Sequence, residues 1–321
     1  PPPPYQLPWV LSSPIPAVLP QCFSVTALKD YLTCPFRFYL KHILKIRHQN
    51  FNDREMSPKV FGELFHQTVA TLNGQHLDKS SDTVTLIKLL QDKAETLIHS
   101  KFGKQLSFAL EIQKESLLTR IQAFVKSQIG LLKETAQTEI ISAEKSFKIT
   151  IKKFSINGVI DRIDTAKGQI SLIDYKTANT PKFPAKAHLK STNTKGEPKH
   201  LPEAAYFEHA NKSYYWSDLQ LPLYCHSEVN DETQELPDLF YYNIPKSAEQ
   251  TALVCWDDFT KAHLESAYNC AEAILELISQ GCFWPPNETL DPKIDEYSEF
   301  FPDGIKKSID GTVFENYKFL N

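Results

Sequence analysis

Between residues 154 and 178 the chain reads FSINGVIDRIDTAKGQISLIDYKTA, two strand-like runs joined by Ala166-Lys167-Gly168. This stretch constrains the fold most, because a strand has a side-chain period of two and a tight turn sets its register. In the second run Ile170, Leu172, Asp174 and Lys176 fall on one face, so Asp174 and Lys176 project side by side next to an apolar surface. A two-residue turn at Lys167-Gly168 pairs Ala166 with Gln169, and stepping back along the ladder sets Asp161 opposite Asp174. Directly opposed residues share a face with Cβ atoms about 4.5–5.5 Å apart, and like charges so placed repel. Either a hard divalent cation lies between the carboxylates, or one carboxyl shares its proton with the other. A plainer alternative is a surface hairpin with Asp and Lys in an exposed ion pair, worth about 0–1 kcal/mol.

The chain ahead of this hairpin is helical in pattern. Ser24 or Thr26 can cap a short helix that Pro35 interrupts, and Pro35 suits the first turn of a second helix carrying Phe36, Phe38, Tyr39 and Leu40. Ser57-Pro58 is a further helix start, followed by Val60, Phe61, Leu64, Phe65, Val69 and Leu72 at helical spacing. Helices are also predicted over about 82–99 and 107–134. Phe147, Ile149 and Ile151 then alternate with Lys148, Thr150 and Lys152, the mark of a half-buried strand. A turn at Lys152-Lys153, with Gly158 inside a longer strand, is preferred to a turn at Asn157-Gly158. Residues 180–213 are polar and without period, and read as a long loop or insertion. Ser217 opens a helix with Gln220 and Tyr224, strands follow near 239–244 and 251–256, and a helix over about 258–280 stops at Gly281. The expected class is α/β. Residues 1–23 read as a proline-rich linker and 24–321 as one domain, helical over 24–140, with a sheet core over 141–284 and a weakly patterned tail over 285–321.

No apolar run approaches the roughly 20 residues of a membrane helix, and no signal peptide is visible. The proline-rich start suggests a chain cut from a longer polypeptide. Six scattered cysteines with no CxxC pair argue against a zinc ribbon and fit a reduced, cytoplasmic protein. A net charge of −4 means that any polyanion must be met locally. The local candidates are RFYLKHILKIRH at 37–48 and the series Lys182, Lys186, Lys190, Lys195 and Lys199.

A metal held by Asp161 and Asp174 would lower the pKa of a bound water and act as a Lewis acid, while the Lys176 ammonium orients that water and offsets charge on phosphoryl oxygens. This chemistry hydrolyses phosphodiesters. Gly62 and His66 share a helix face at i, i+4, the glycine leaving room beside the imidazole for a metal or phosphate; a His on such a face is otherwise a satisfied core residue. Glu144, at the start of the preceding strand, is a further candidate acidic ligand, or an ordinary exposed Glu. Gln220 and Tyr224, again i, i+4, offer hydrogen bonds on one face; the alternative is a Ser217–Gln220 capping box with a core tyrosine.

In this order, SVTALKDYLTCPFRFYLKHILKI at 24–46, GELFH at 62–66, GVIDRID at 158–164, LIDYKT at 172–177 and LQLPLY at 219–224 resemble the PD-(D/E)xK nuclease superfamily in its RecB/AddB-like branch. The resemblance spans about 24 to 284. It implies a restriction-endonuclease-like mixed central sheet flanked by helices. It also implies His66, Asp161, Asp174 and the Tyr175 carbonyl as ligands of Mg²⁺ or Mn²⁺, Lys176 as the catalytic lysine, and Gln220 and Tyr224 as the family's QxxxY motif on the DNA side. Arg37, Lys182, Lys186 and Lys190 are added as candidate DNA contacts. AddB-like relatives hold a 4Fe–4S cluster through the CPF cysteine and a C-terminal cysteine group, yet no cysteine follows Cys282 here. No iron–sulfur cluster is therefore expected, and Cys34 is expected to be a small buried hydrophobe. The expected function is a Mg²⁺- or Mn²⁺-dependent deoxyribonuclease in recombination or repair, working beside a helicase or helicase-like domain. The alternatives are a non-catalytic nucleic-acid-binding module, motivated by residues 36–48 and 182–199, and a scaffold whose carboxylates merely bind an ion. RNA is open as a substrate.

Overall fold

The computed structural model describes residues 19–46, 55–73, 81–134, 138–192, 198–229, 235–291 and 295–317. The proline-rich start up to residue 18, Arg47, His48 and Lys195 lie outside them. Strand β1 (Cys22–Ser24) pairs in parallel with β3 (Phe154–Ala166), so Cys22 and Phe23 belong to the sheet rather than to the expected linker. Ser24 ends β1 and caps helix α1 (Val25–Thr33), its Oγ accepting the Ala27 N–H at 3.2 Å. Cys34 is extended, and Pro35, having no N–H to satisfy, opens α2 (Pro35–Phe38), which runs on into a π-helical turn over Tyr39–Ile43. Ser57 caps α3 (Pro58–Val69), Asp82 caps α4 (Thr83–Phe102), and α5 spans Phe108–Glu134.

The central sheet is mixed and six-stranded, flanked by helices as the α/β expectation has it. Strand β2 (Thr138–Ile151) turns at Lys152-Lys153 into β3, and β3 turns at Lys167-Gly168 into β4 (Gln169–Lys176). Lys167 and Gly168 both have positive φ, 53° and 88°, the backbone that a two-residue hairpin turn demands. Strand β2 begins well before Phe147, the first residue of the alternating pattern. A register shift between Ile140 and Ser142 and a positive φ of 52° at Glu144 break the period there.

The expected loop over 180–213 is a correction. It holds α6 (Pro184–His188), β5 (Leu189–Ser191), β6 (Tyr206–His209) and, reaching Trp216, β7 (Lys212–Trp216), and these strands form a second sheet in the order β5-β7-β6. Ala210 and Asn211, at φ 49° and 59°, make its hairpin turn, while Leu189 and Trp216 are buried beneath it. Helix α7 (Gln220–Glu228) is not opened by Ser217. Asp218 Oδ1 accepts the Gln220 N–H at 2.9 Å, and Ser217 Oγ donates to the Ala187 and His188 carbonyls. Strand β8 (Asp238–Asn243) then lies parallel to β4, β9 (Ala252–Cys255) is antiparallel to β8, and α8 (Lys261–Ser279) packs above.

Side chains alternate to two cores. Leu172, Leu239 and Tyr241 pack with α1, α2, α7, α8 and the C-terminal segment. Ile173, Tyr175 and Tyr242 pack with α3, α4 and α5. The basic aromatic segment 36–46 is spent in the first core. Phe36, Phe38 and Tyr39 are buried against Phe283, Trp284 and Phe314 rather than offered to bases. Arg37 is corrected as a DNA contact, because its guanidinium is bidentate to Asp295 and donates to the Asn287 carbonyl at 2.6 Å. Lys41 pairs with Asp30 and Glu296, and His42 with Asp30. Cys34 is buried but is more than a hydrophobe: its Sγ accepts from the Asn287 N–H and Arg37 Nη1 at 3.2 and 3.3 Å, stapling the tail to α2.

Candidate metal centre

The ladder between β3 and β4 runs from Ala166–Gln169 to Arg162–Ile173, in the register that the two-residue turn predicts, and ends one residue short of Asp161 and Asp174. Asp161 Oδ2 accepts the Tyr175 N–H at 2.8 Å, so the Tyr175 backbone meets Asp161 through its amide. Asp161 Oδ1 lies 3.2 Å from Nδ1 of His66, which α3 carries over the end of the hairpin. Glu144 Oε1 is 3.9 Å from the same nitrogen. Because Ala143 pairs with Arg162 and Lys145 with Ile160, Glu144 stands opposite Asp161. One ligand atom from each of His66, Glu144 and Asp161 lies within 4.8 Å of the others.

This donor set suits a hard divalent ion: two carboxylates and an imidazole, converging from two strands and a helix. Asp174 stands beside it. Its Oδ2 is buried without a satisfactory hydrogen bond and lies 2.5 Å from Lys176 Nζ. An anionic oxygen so placed has unused capacity that a cation can fill. Glu144 carries further evidence of cost at the site, since a non-glycine residue in the left-handed region is about 1–2 kcal/mol above its ordinary backbone.

The electrostatics follow from crowding acids in a dry place. Burial works against a charged His66, but the Asp161 hydrogen bond and the charges of Asp161, Asp174 and Glu144 outweigh it, and the imidazole is pushed up to about 9. Burial raises the Glu144 carboxyl, and Asp161 adds to the effect. For Asp174 burial again pushes upward and the Lys176 ammonium only partly offsets it. Lys176 is held charged: burial opposes its ammonium, and the Asp174 carboxylate more than compensates.

Lys176 Nζ also lies 4.5 Å over the ring of Tyr241, the residue paired with Asp174 in β8. Tyr241 O–H donates to His188 Nε2 at 2.8 Å, and His188 Nδ1–H donates to the Asp218 carbonyl at 2.8 Å. A carbonyl can only accept, so the neutral tautomer of His188 is decided by its partners. Gln220 Nε2 donates to the Tyr224 hydroxyl oxygen at 2.6 Å, and Tyr224 is only 3% exposed, edge-on to Phe147. The two face one another more than solvent. Gly62 does not make room for the imidazole: a Cβ added there would meet only Thr177 Oγ1, at an ordinary contact distance of 3.4 Å.

Of the candidate cations, Lys182 lies beside Lys176 on the wall of a cleft, while Lys186 and Lys190 project from α6 and β5, with Lys190 Nζ donating to the Lys186 carbonyl at 2.6 Å. Sequence reasoning missed the buried Arg162, which donates to Asp164 at 2.6 and 2.5 Å and to Gln128 at 2.7 Å, tying β3 to α5. It also missed Arg120 and Lys246, which line the cleft with Lys182. Nothing in a single amphipathic helix marks one arginine as inward-facing. No described helix is long and apolar enough to cross a membrane.

The family model of the PD-(D/E)XK nuclease superfamily matches residues 22–290. Over 178 residues the chain is 27% identical to one component of the ATP-dependent helicase/deoxyribonuclease of Carboxydothermus hydrogenoformans, a match covering 49% of this chain and 16% of that protein. Uncharacterized proteins of Rickettsia bellii and Rickettsia conorii are 26% and 27% identical, over 50% of this chain and 19% and 20% of their own lengths. The chain thus matches about a fifth or less of each of these relatives.

Proposed function

The chain belongs to the PD-(D/E)XK nuclease superfamily, and on that premise we propose that it is a Mg²⁺- or Mn²⁺-dependent deoxyribonuclease acting in recombination or repair, with residues from Cys22 onward as the nuclease domain of a larger helicase–nuclease-like assembly. The observation that carries this reading is the convergence of His66, Glu144 and Asp161 within 4.8 Å beside the buried Asp174–Lys176 pair. The name of the Carboxydothermus relative supports DNA as substrate and a helicase as companion.

His66, Glu144 and Asp161 would hold the ion, with Asp174 and the Tyr175 carbonyl as the further ligands that the family pattern implies. When bound, the ion supplies a Lewis acid and a coordinated water of lowered pKa. The protein's own contributions are positional and electrostatic. The Tyr175 N–H holds Asp161 in its orientation. Asp174 keeps Lys176 protonated, and the Tyr241 ring seats that ammonium where it can orient an attacking water and offset charge on the phosphoryl oxygens. Gln220 and Tyr224 bound the site on the α7 side.

Linear single- and double-stranded DNA should be degraded with Mn²⁺ and not in EDTA, with RNA assayed in parallel as the comparison substrate. Asp174→Ala and Lys176→Ala should each lower the rate by about 10²-fold or more. Equal activity in the variants, or none in the wild type with any divalent metal, would sink the reading. One observation favours a second one: Asp174 is engaged with Lys176 and stands apart from the three-residue cluster. A non-catalytic nucleic-acid-binding module retaining the fold would bind DNA with a steep salt dependence and cleave nothing.

A further inference from the structure

Beside Lys176, between the start of α3, the middle of α5 and the β4–α6 connection, lies an open cleft of about 580 Å³, within the size range of small-ligand sites. Arg120, Lys176, Lys182 and Lys246 line it, and no carboxylate does. The excess is local, because the whole chain carries a net charge of −4.

Arg120 is the telling member. It is 6% exposed, and its hydrogen bonds all go to neutral oxygens: Nη1 to the Thr177 and Ile244 carbonyls at 2.6 and 3.3 Å, Nη2 to Asn179 Oδ1 at 3.1 Å. Its Nε is buried without a partner. Phe61 lies under the guanidinium at 4.8 Å, which is favourable for a cation but supplies no counter-charge. Among the described residues no carboxylate is within ion-pair distance of Arg120, Lys182 or Lys246. A buried cation with no counter-ion is expensive, and burial lowers the pKa of Arg120 with no acid to restore it. Lys182 is lowered too, by burial first and then by the charges of Lys176 and Lys29, which Asp218 only partly offsets. Apart from Lys176, which Asp174 pairs, the cations of the cleft have no carboxylate at ion-pair distance among the described residues.

Resting on the nuclease reading, we infer that this cleft is an anion subsite for the substrate strand: Arg120, Lys182 and Lys246 bind a phosphodiester next to the one placed at the metal centre. Lys176 is common to the cleft wall and the Asp174 pair, and is the residue through which the subsite neighbours the centre; His66, Glu144, Asp161 and Asp174 do not themselves line the cleft. Arg120 sets the field from within, and Lys182 and Lys246 reach the phosphate from the rim.

The test is binding without cleavage: the Asp174→Ala protein in EDTA, with a fluorescently labelled single-stranded oligodeoxynucleotide, followed by anisotropy across a salt series. Arg120 ties the Thr177–Asn179 loop, so its replacement endangers the fold; Lys182→Gln/Lys246→Gln is the informative variant. Losing the one phosphate contact should reduce the slope of log K against log salt by about 0.7 in the double variant. Lys167→Gln, in the exposed β3–β4 turn, should leave the slope unchanged. An unchanged slope in the double variant, or no binding by the parent protein at low salt, overturns the subsite. Inorganic phosphate that raises the Tm of the parent but not of the double variant, with no slope difference on the oligonucleotide, overturns the assignment to a strand. The two readings fail separately. Steep-slope binding lost in the double variant, with no Mn²⁺-dependent cleavage by wild type, leaves the subsite standing without the nuclease; cleavage with an unchanged slope does the reverse.

Discussion

Glu144 is the residue at which local and global requirements disagree. Its backbone lies at φ 52° in the middle of a strand, where a side chain costs about 1–2 kcal/mol, and that conformation delivers its carboxylate opposite Asp161. Replacing it tests whether the strain serves the metal. Glu144→Gly relieves the conformation but adds about 0.5–1 kcal/mol of unfolded-chain entropy, so stability in urea should change by less than about 1 kcal/mol. Mn²⁺ affinity by calorimetry should fall by about tenfold or more. Unchanged affinity would remove Glu144 from the ligand set. Its candidacy as an acidic ligand was legible in the sequence, but its left-handed backbone within SAEKS was not, because a broken period carries no strand pattern to read.

At the scale of elements, the β2–β3–β4 meander carries Asp161, Asp174 and Lys176, and its packing is tight at one point. A Cβ added at Gly158 would lie 2.4 and 2.6 Å from Phe147 Cε1 and Cζ, and Phe147 in turn packs on Tyr224 at 5.4 Å. Gly158→Ala should therefore destabilise the protein by about 1–3 kcal/mol through overpacking, measured by urea unfolding. It should also displace Tyr224, read from the loss of its ring-current shifts. The hairpin itself was legible, because a period of two and a turn needing two positive φ angles determine register without help from the rest of the chain. The 180–213 sheet was not. Its strands are three to five residues long, and their stability comes from burying Leu189 and Trp216 against the main body rather than from pattern.

For the molecule as a whole, buried neutral histidines make acid stability a tertiary property. His188 and His200 are both lowered to about 4, by burial first; Asp218 raises His188 while Lys176 and Lys29 lower it, and the Leu32 carbonyl partly supports His200. In the unfolded chain each titrates near 6.5. Between about pH 6.5 and 4 the unfolded state binds more protons than the folded one, so this contribution is complete above 6.5 and is lost as pH falls toward 4. Urea unfolding across that window should show stability dropping by on the order of 3 kcal/mol per histidine, and His200→Gln should flatten part of the drop. An unchanged pH dependence in that variant would mean that His200 is not held neutral. Strand period, turn chemistry and five ordered motifs are properties of neighbouring residues, so the α/β class, the β3–β4 register and the family follow from the order of amino acids alone. Which cations are free is decided by what meets them from far along the chain. Arg37 finds Asp295 and Asn287 and becomes a staple, while Arg120 finds only neutral oxygens and keeps its charge. These two arginines separate only in the folded chain, because the difference lies in partners that packing brings from distant parts of the sequence.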